Sequence, residues 1–164
     1  PRPRPGRPLV ATPPRMESHG LNPSTRFEGI MTRPVQQSVI LNAAPRELFN
    51  TFLDSKKHAA LTGAPAKIGK RPGAVSTAFG GQLSGRTLLL VPGRLIVQSW
   101  RSKGWKATDS DSILILEFSK TKGGGRIYLI HVGVPQHDRK GIISGWKKYY
   151  WDPWKKRLAL AQAR

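Results

Sequence analysis

Residues 83–91, 95–101, 113–119 and 126–132 are four apolar-rich segments of strand length, and short joints separate them. Parallel neighbours need a crossover of a dozen or more residues, usually a helix, so these segments are expected to form an antiparallel meander. Two of the joints carry their own turn chemistry. In Val91-Pro92-Gly93-Arg94 the proline presets φ and the glycine accepts a positive φ; Lys122-Gly123-Gly124-Gly125 serves the next hairpin in the same way.

What flanks the meander completes the layout. Residues 35–41 read as a strand, with Val35, Val39 and Leu41 apolar among polar neighbours. Pro45 and Glu47 are helix-start signals, and Leu48, Phe49, Phe52 and Leu53 recur at helical spacing. Asp54-Ser55 ends that helix or caps a second short one over 55–61, which Thr62-Gly63 and Pro65 stop. The Gly-rich run 69–81 leaves room only for short strands. Residues 135–163 lose the alternation. There Ile142, Trp146, Tyr149, Tyr150 and Pro153 share one helical face, Pro153 is expected to kink or restart the helix, and Asp152 to cap its last part. The fold class is α+β: a curved antiparallel sheet around a long C-terminal helix, with two short helices after the first strand.

Composition divides the chain near residue 34. Residues 1–34 hold 8 of the 14 prolines and six arginines with almost no aliphatic run, so a disordered or polyproline-like extension is expected there. The chain begins with Pro1; Met16 or Met31 is a candidate start, and Met31 is favoured because it stands just before the first strand, which would make the preceding residues artefactual. Residues 35–164 form the domain and carry 22 Lys and Arg against 7 Asp and Glu, a net +15, so the basic character belongs to the domain itself. The absence of cysteine excludes disulfides, thiolate metal sites and a cysteine nucleophile. No apolar run reaches membrane-spanning length, and no signal-peptide core is present, so a cytoplasmic location is expected.

Several short motifs occur in one order: His58-Ala59-Ala60-Leu61-Thr62-Gly63; Phe79-Gly80-Gly81; Leu83-Ser84-Gly85; Val91-Pro92-Gly93; Ser99-Trp100-Arg101 followed by Trp105; His131 with Val134-Pro135; and Gly145-Trp146 with Tyr149-Tyr150-Trp151-Asp152-Pro153. Over residues 35–160 this set resembles the helix-grip fold of the START-like (SRPBCC, Bet-v-type) superfamily. Within it the set resembles the homologues of the activator of heat-shock-protein-90 ATPase, in their C-terminal-type domain. Gly125 departs from the pattern, since many relatives carry Thr there, and the domain's charge is unusually high for the family.

The resemblance implies a cavity between sheet and helix. Glu117 is unsuited to an apolar interior, which turns Leu114, Leu116 and Phe118 inward and Ile113 and Ile115 outward. Ile127, Leu129 and His131 share the inward face of the last strand, and Ile96, Gln98 and Trp100 that of the middle one. Trp146, Tyr149 and Tyr150 close the space from the helix. These twelve residues are the candidate site for a small hydrophobic ligand. Equally, they could pack as a dry core. His131 reads as a hydrogen-bonded structural histidine before a catalyst.

No catalytic residue, metal or cofactor is assigned. Asp109 and Asp111 read as a solvated turn, and His137 and Asp138 as the start of the long helix. The expected function is a non-enzymatic binding module that holds a small hydrophobic molecule or docks on a chaperone. The alternatives are an enzyme of the same superfamily using the cavity as active site, or a charge-driven binder of nucleic acid or other anionic partners, weak and non-specific. Nothing in the sequence sets the oligomeric state.

Overall fold

The computed structural model describes residues 33–163. All but the last two residues of the expected Pro/Arg-rich extension fall outside this span. Strand β1 (Val35–Leu41) leads into helix α1 (Pro45–Leu53) and helix α2 (Ser55–Thr62). Then come β2 (Val75–Ala78), a single 3-10 turn (Phe79–Gly81), β3 (Leu83–Val91), β4 (Leu95–Ser102), β5 (Ser112–Thr121) and β6 (Gly124–Val132). The chain closes with α3 (Arg139–Trp146), a π-helical turn (Lys147–Trp151) and α4 (Asp152–Gln162).

The six strands make one antiparallel sheet in the order β1-β6-β5-β4-β3-β2. The first strand pairs with the last because the first glycines of β6 let two stretches of backbone meet. A Cβ at Gly124, whose φ is +120°, would sit 2.2 Å from the Leu41 carbonyl oxygen. One at Gly125 would sit 2.6 Å from Leu48 Cδ1 and 2.8 Å from the Ala43 carbonyl oxygen. The sequence departure at Gly125 therefore has a steric reason in this chain. Between β3 and β4 the register shifts between Thr87 and Leu89, leaving Leu88 as the extra, exposed residue of a bulge that bends the sheet.

Helix α1 starts on Pro45 and turns Leu48, Phe49, Phe52 and Leu53 into the core. Asp54 caps α2: its Oδ1 accepts from the backbone N–H groups of Lys56 and Lys57, each at 3.0 Å. These bonds, that from Lys57 first, hold its carboxyl below the ordinary carboxylate range. Gly63, in the left-handed conformation at φ 71°, ends the helix.

The long helix departs from the expected face. Pro153 stands in the first turn of α4, where the helix restarts as expected after a wider turn in which the Asp152 N–H bonds to the Lys147 carbonyl five residues back. In an uninterrupted α-helix Trp154 would point about 120° away from Ile142; one extra residue in the turn brings the two within about 20°. Ile142, Trp146, Tyr150 and Trp154 are thus all buried, Trp151 joins them, and Tyr149 is turned outward to 45% exposure. Asp152 makes no cap and instead accepts from Lys147 Nζ at 3.0 Å.

Candidate functional site

Between the first half of the long helix and the β3–β4 end of the sheet lies a cavity of about 400 Å³. Trp100 of β4 forms one wall, and Ile142, Trp146, Tyr149 and Tyr150 the helix wall. Phe79 closes a third side; its φ of +51° is unusual for an aromatic residue and sets its ring 5.7 Å from that of Tyr149 and 5.8 Å from that of Tyr150. Gln82, Ser102 and Asp138 are the polar side chains of the lining. The rest of the lining is mostly apolar.

A second space, of about 30 Å³, lies deeper, bounded in part by Phe52, His58, Ser76, Gln98, Leu114 and Tyr150. It has room for about one water molecule. The twelve candidate residues therefore divide. Trp100, Trp146, Tyr149 and Tyr150 meet around the larger cavity, with Tyr149 at its rim, while Gln98 and Leu114 border the small space. Ile96, Leu116, Phe118, Ile127, Leu129 and His131 border neither of these two spaces and are buried in the core. Phe79 and Asp138 were not among the candidates; a positive φ at an aromatic residue and a carboxylate turned away from capping leave no mark in hydropathy.

The buried polar groups are paired in directed chains. Ser112 donates to the Trp100 carbonyl at 2.8 Å, so its oxygen accepts from His131 Nε2–H at 2.7 Å. That assignment leaves His131 Nδ1 as an acceptor for the Trp146 indole N–H at 3.4 Å. Burial pushes the imidazole from the ordinary 6.5 down to about 4, which keeps it neutral. His58 uses the opposite tautomer: Nδ1–H donates to the Phe52 carbonyl at 2.8 Å and Nε2 accepts from the Tyr150 hydroxyl at 3.2 Å. Burial lowers the His58 pKa and raises that of Tyr150.

The Asp109–Asp111 loop is largely exposed, as expected of a solvated turn, and its carboxylates are also fastened by hydrogen bonds. Asp109 Oδ2 accepts from His137 Nε2 at 2.9 Å and from the Lys106 N–H at 2.7 Å, and the bond with His137 is the main reason its carboxyl lies below the ordinary range. Asp111 accepts from Arg101 Nη1 at 3.0 Å. Asp138 stands at the start of α3 without capping it; its Oδ2 accepts from the Trp105 indole N–H at 2.7 Å. Among the described residues no three His, Cys, Asp or Glu side chains converge in a way that could hold a metal ion.

The family model described as "Activator of Hsp90 ATPase homolog 1-like protein" matches residues 42–159. The chain belongs to that family. Among curated relatives of this activator-homologue family, the human activator of 90 kDa heat shock protein ATPase homolog 1 is 29% identical over 109 residues, 66% of this chain and 32% of its own length. An uncharacterized protein of Schizosaccharomyces pombe is 28% identical over 124 residues, 76% of this chain and 37% of its own. The chain thus spans about a third of the curated relatives it matches. The fold is shared with the crystal structure of an HSP90 activator from Plasmodium falciparum, at TM-score 0.70 and 20% identity, covering 77% of this chain and 96% of that one. A Chromobacterium violaceum protein matches at TM-score 0.62 and 23% identity, over 78% and 98%.

In this member of the activator-homologue family, the motif residues lock into one another. Trp100 packs edge-on against His131 with centroids 4.9 Å apart, and Trp146 stacks on Trp151 at 5.5 Å. The outer sheet face of this family member carries an apolar stripe, with Ser99 and Glu117 on the same face. The pairing aligns Leu89, Val97, Ile115 and Ile130 across four strands, with Val91 opposite Leu95 and Ile113 opposite Val132. Leu89 is 48% exposed and Val132 39%. An antiparallel sheet with one face in water usually carries polar residues there. No helix among the described residues is long and apolar enough to cross a membrane.

Proposed function

We propose that this domain is a non-enzymatic holder of a small hydrophobic molecule. The observation that carries the reading is the cavity of about 400 Å³ walled by Trp100, Trp146, Tyr149 and Tyr150. The pairing of both His131 nitrogens with Trp146 and Ser112 favours a structural role for the most buried titratable group over a catalytic one. Native mass spectrometry of the purified chain, followed by titration with an apolar dye, tests this. A retained mass or saturable dye fluorescence supports it; a clean mass with no dye response ends it.

A second reading is docking on a chaperone of the 90 kDa heat-shock class. Family membership and the apolar stripe on the outer face of β3, β4, β5 and β6 favour it. The face offers a desolvatable patch, and the basic domain suits an acidic partner. Stimulation of a purified chaperone ATPase by the chain, and its loss in Ile115→Lys, is the expected result. Unchanged ATPase at saturating chain would set this reading aside without touching the cavity.

A further inference from the structure

We propose that the larger cavity selects an amphipathic cation: an apolar ring or short alkyl body carrying an ammonium group. The inference rests on the cavity reading and adds the ligand's charge. The chain holds 28 Lys and Arg against 9 Asp and Glu, yet no Lys, Arg or His lines this cavity, and its one carboxylate is Asp138. The sign of charge inside is the reverse of the sign outside.

Asp138 is placed to use that charge. Trp105 ties its Oδ2 at 2.7 Å, which fixes the carboxylate, and the helix beside it is left uncapped. Its Oδ1 lies over Gly141, at 2.5 Å from where a Cβ would stand, so glycine there gives the oxygen its room. Five aromatic rings complete the lining: Phe79, Trp100, Trp146, Tyr149 and Tyr150. Aromatic faces attract cations, and more so where water is excluded. An apolar carboxylic acid would enter with its charge facing Asp138 and with no counter-charge among the lining residues. The basic exterior opposes a cation only during approach, where salt screens it over about 8 Å, whereas Asp138 acts at contact.

Three probes sharing one naphthalene ring test the charge preference: 2-naphthylmethyl-trimethylammonium, 2-naphthalenemethanol and 2-naphthylacetate. Binding to the full chain is followed by calorimetry and tryptophan quenching at about 0.3 M salt, which suppresses adsorption to the basic surface. The expected order is ammonium, alcohol, carboxylate, with about tenfold between ammonium and alcohol. Asp138→Asn can still accept from Trp105, and is expected to shrink that gap to about threefold or less. Ammonium and alcohol binding alike, or carboxylate binding tightest, overturns the charge proposal and leaves the cavity reading intact. A gap that survives in Asp138→Asn overturns the role of that carboxylate. If none of the three probes binds, both readings fall; the comparison on the unmodified chain decides this even if the variant does not fold.

Discussion

His131 and Ser112 meet across β5 and β6 with Nε2 2.7 Å from Oγ, and the bond has a fixed direction because Ser112 spends its own proton on the Trp100 carbonyl. A second proton on the imidazole would point at the Trp146 N–H, which is itself a donor. Burial and donor geometry therefore act together to keep the ring neutral.

That neutrality predicts an acid limb in stability. The unfolded chain protonates His131 near the ordinary 6.5, the folded one only near 4. Stability is full above the first value and falls as pH drops towards the second, because only the unfolded chain takes up the proton there; below both the loss levels off. The loss over this window is about 3 kcal/mol from His131, and His58, lowered in the same direction by burial, adds to it. Urea denaturation across the window checks this. His131→Leu is expected to be about 2 kcal/mol less stable at neutral pH, with a shallower acid limb. A wild-type curve flat between the two values would remove the neutral-ring account.

Gly125 should resist even one added carbon. Gly125→Ala places a Cβ against Leu48 and the Ala43 carbonyl and is expected to cost about 1–3 kcal/mol, measured by denaturant midpoint. Gly123→Ala is the control: its Cβ meets Ile40 Cγ2 at an ordinary 3.5 Å, and its cost should stay well below that of Gly125→Ala.

The π-helical turn sets the facing of everything after it. Deleting Lys148 is expected to close the turn into an α-helix and swing Trp154, which is 2% exposed, off the sheet. The expected cost is about 3 kcal/mol or more, with a red-shifted tryptophan emission. Substituting the same exposed residue, Lys148→Ala, should change stability by less than about 0.5 kcal/mol. Equal stability of the two variants would show that the turn does not set the register.

Gly145 lines the larger cavity from the helix. A Cβ there stands 3.8 Å from Tyr149 Cδ2, so Gly145→Ala should gain about 0.5–1 kcal/mol of helix stability and keep dye binding. Gly145→Trp is expected to fill the space and abolish the dye signal while the near-ultraviolet dichroism stays folded. Dye binding that survives a folded Gly145→Trp would place the dye elsewhere.

Sequence alone determined the strand and helix order of this protein. Glu117 sets the phase of β5 because a carboxylate is unsuited to an apolar interior, which puts Leu114, Leu116 and Phe118 on the buried side. Pro45, the Asp54 cap and Gly63 mark the ends of α1 and α2 because each acts on backbone within a turn of itself. The family was equally legible, because short motifs in one order carried the resemblance and the family model matches residues 42–159. Tertiary structure alone decided where space remains. The side chains of Ile96, Leu116 and Ile127 share the same face as Trp100, but packing density depends on all neighbours at once and filled their end of the hollow. It decided the facing of Tyr149 and Trp154 too, since an added residue in one helical turn alters no composition or period that a reader of the chain would count. Asp138 shows the same limit: in the chain it reads only as the start of α3, and its bond from Trp105, distant in sequence, and its place in the cavity lining are set by the tertiary structure.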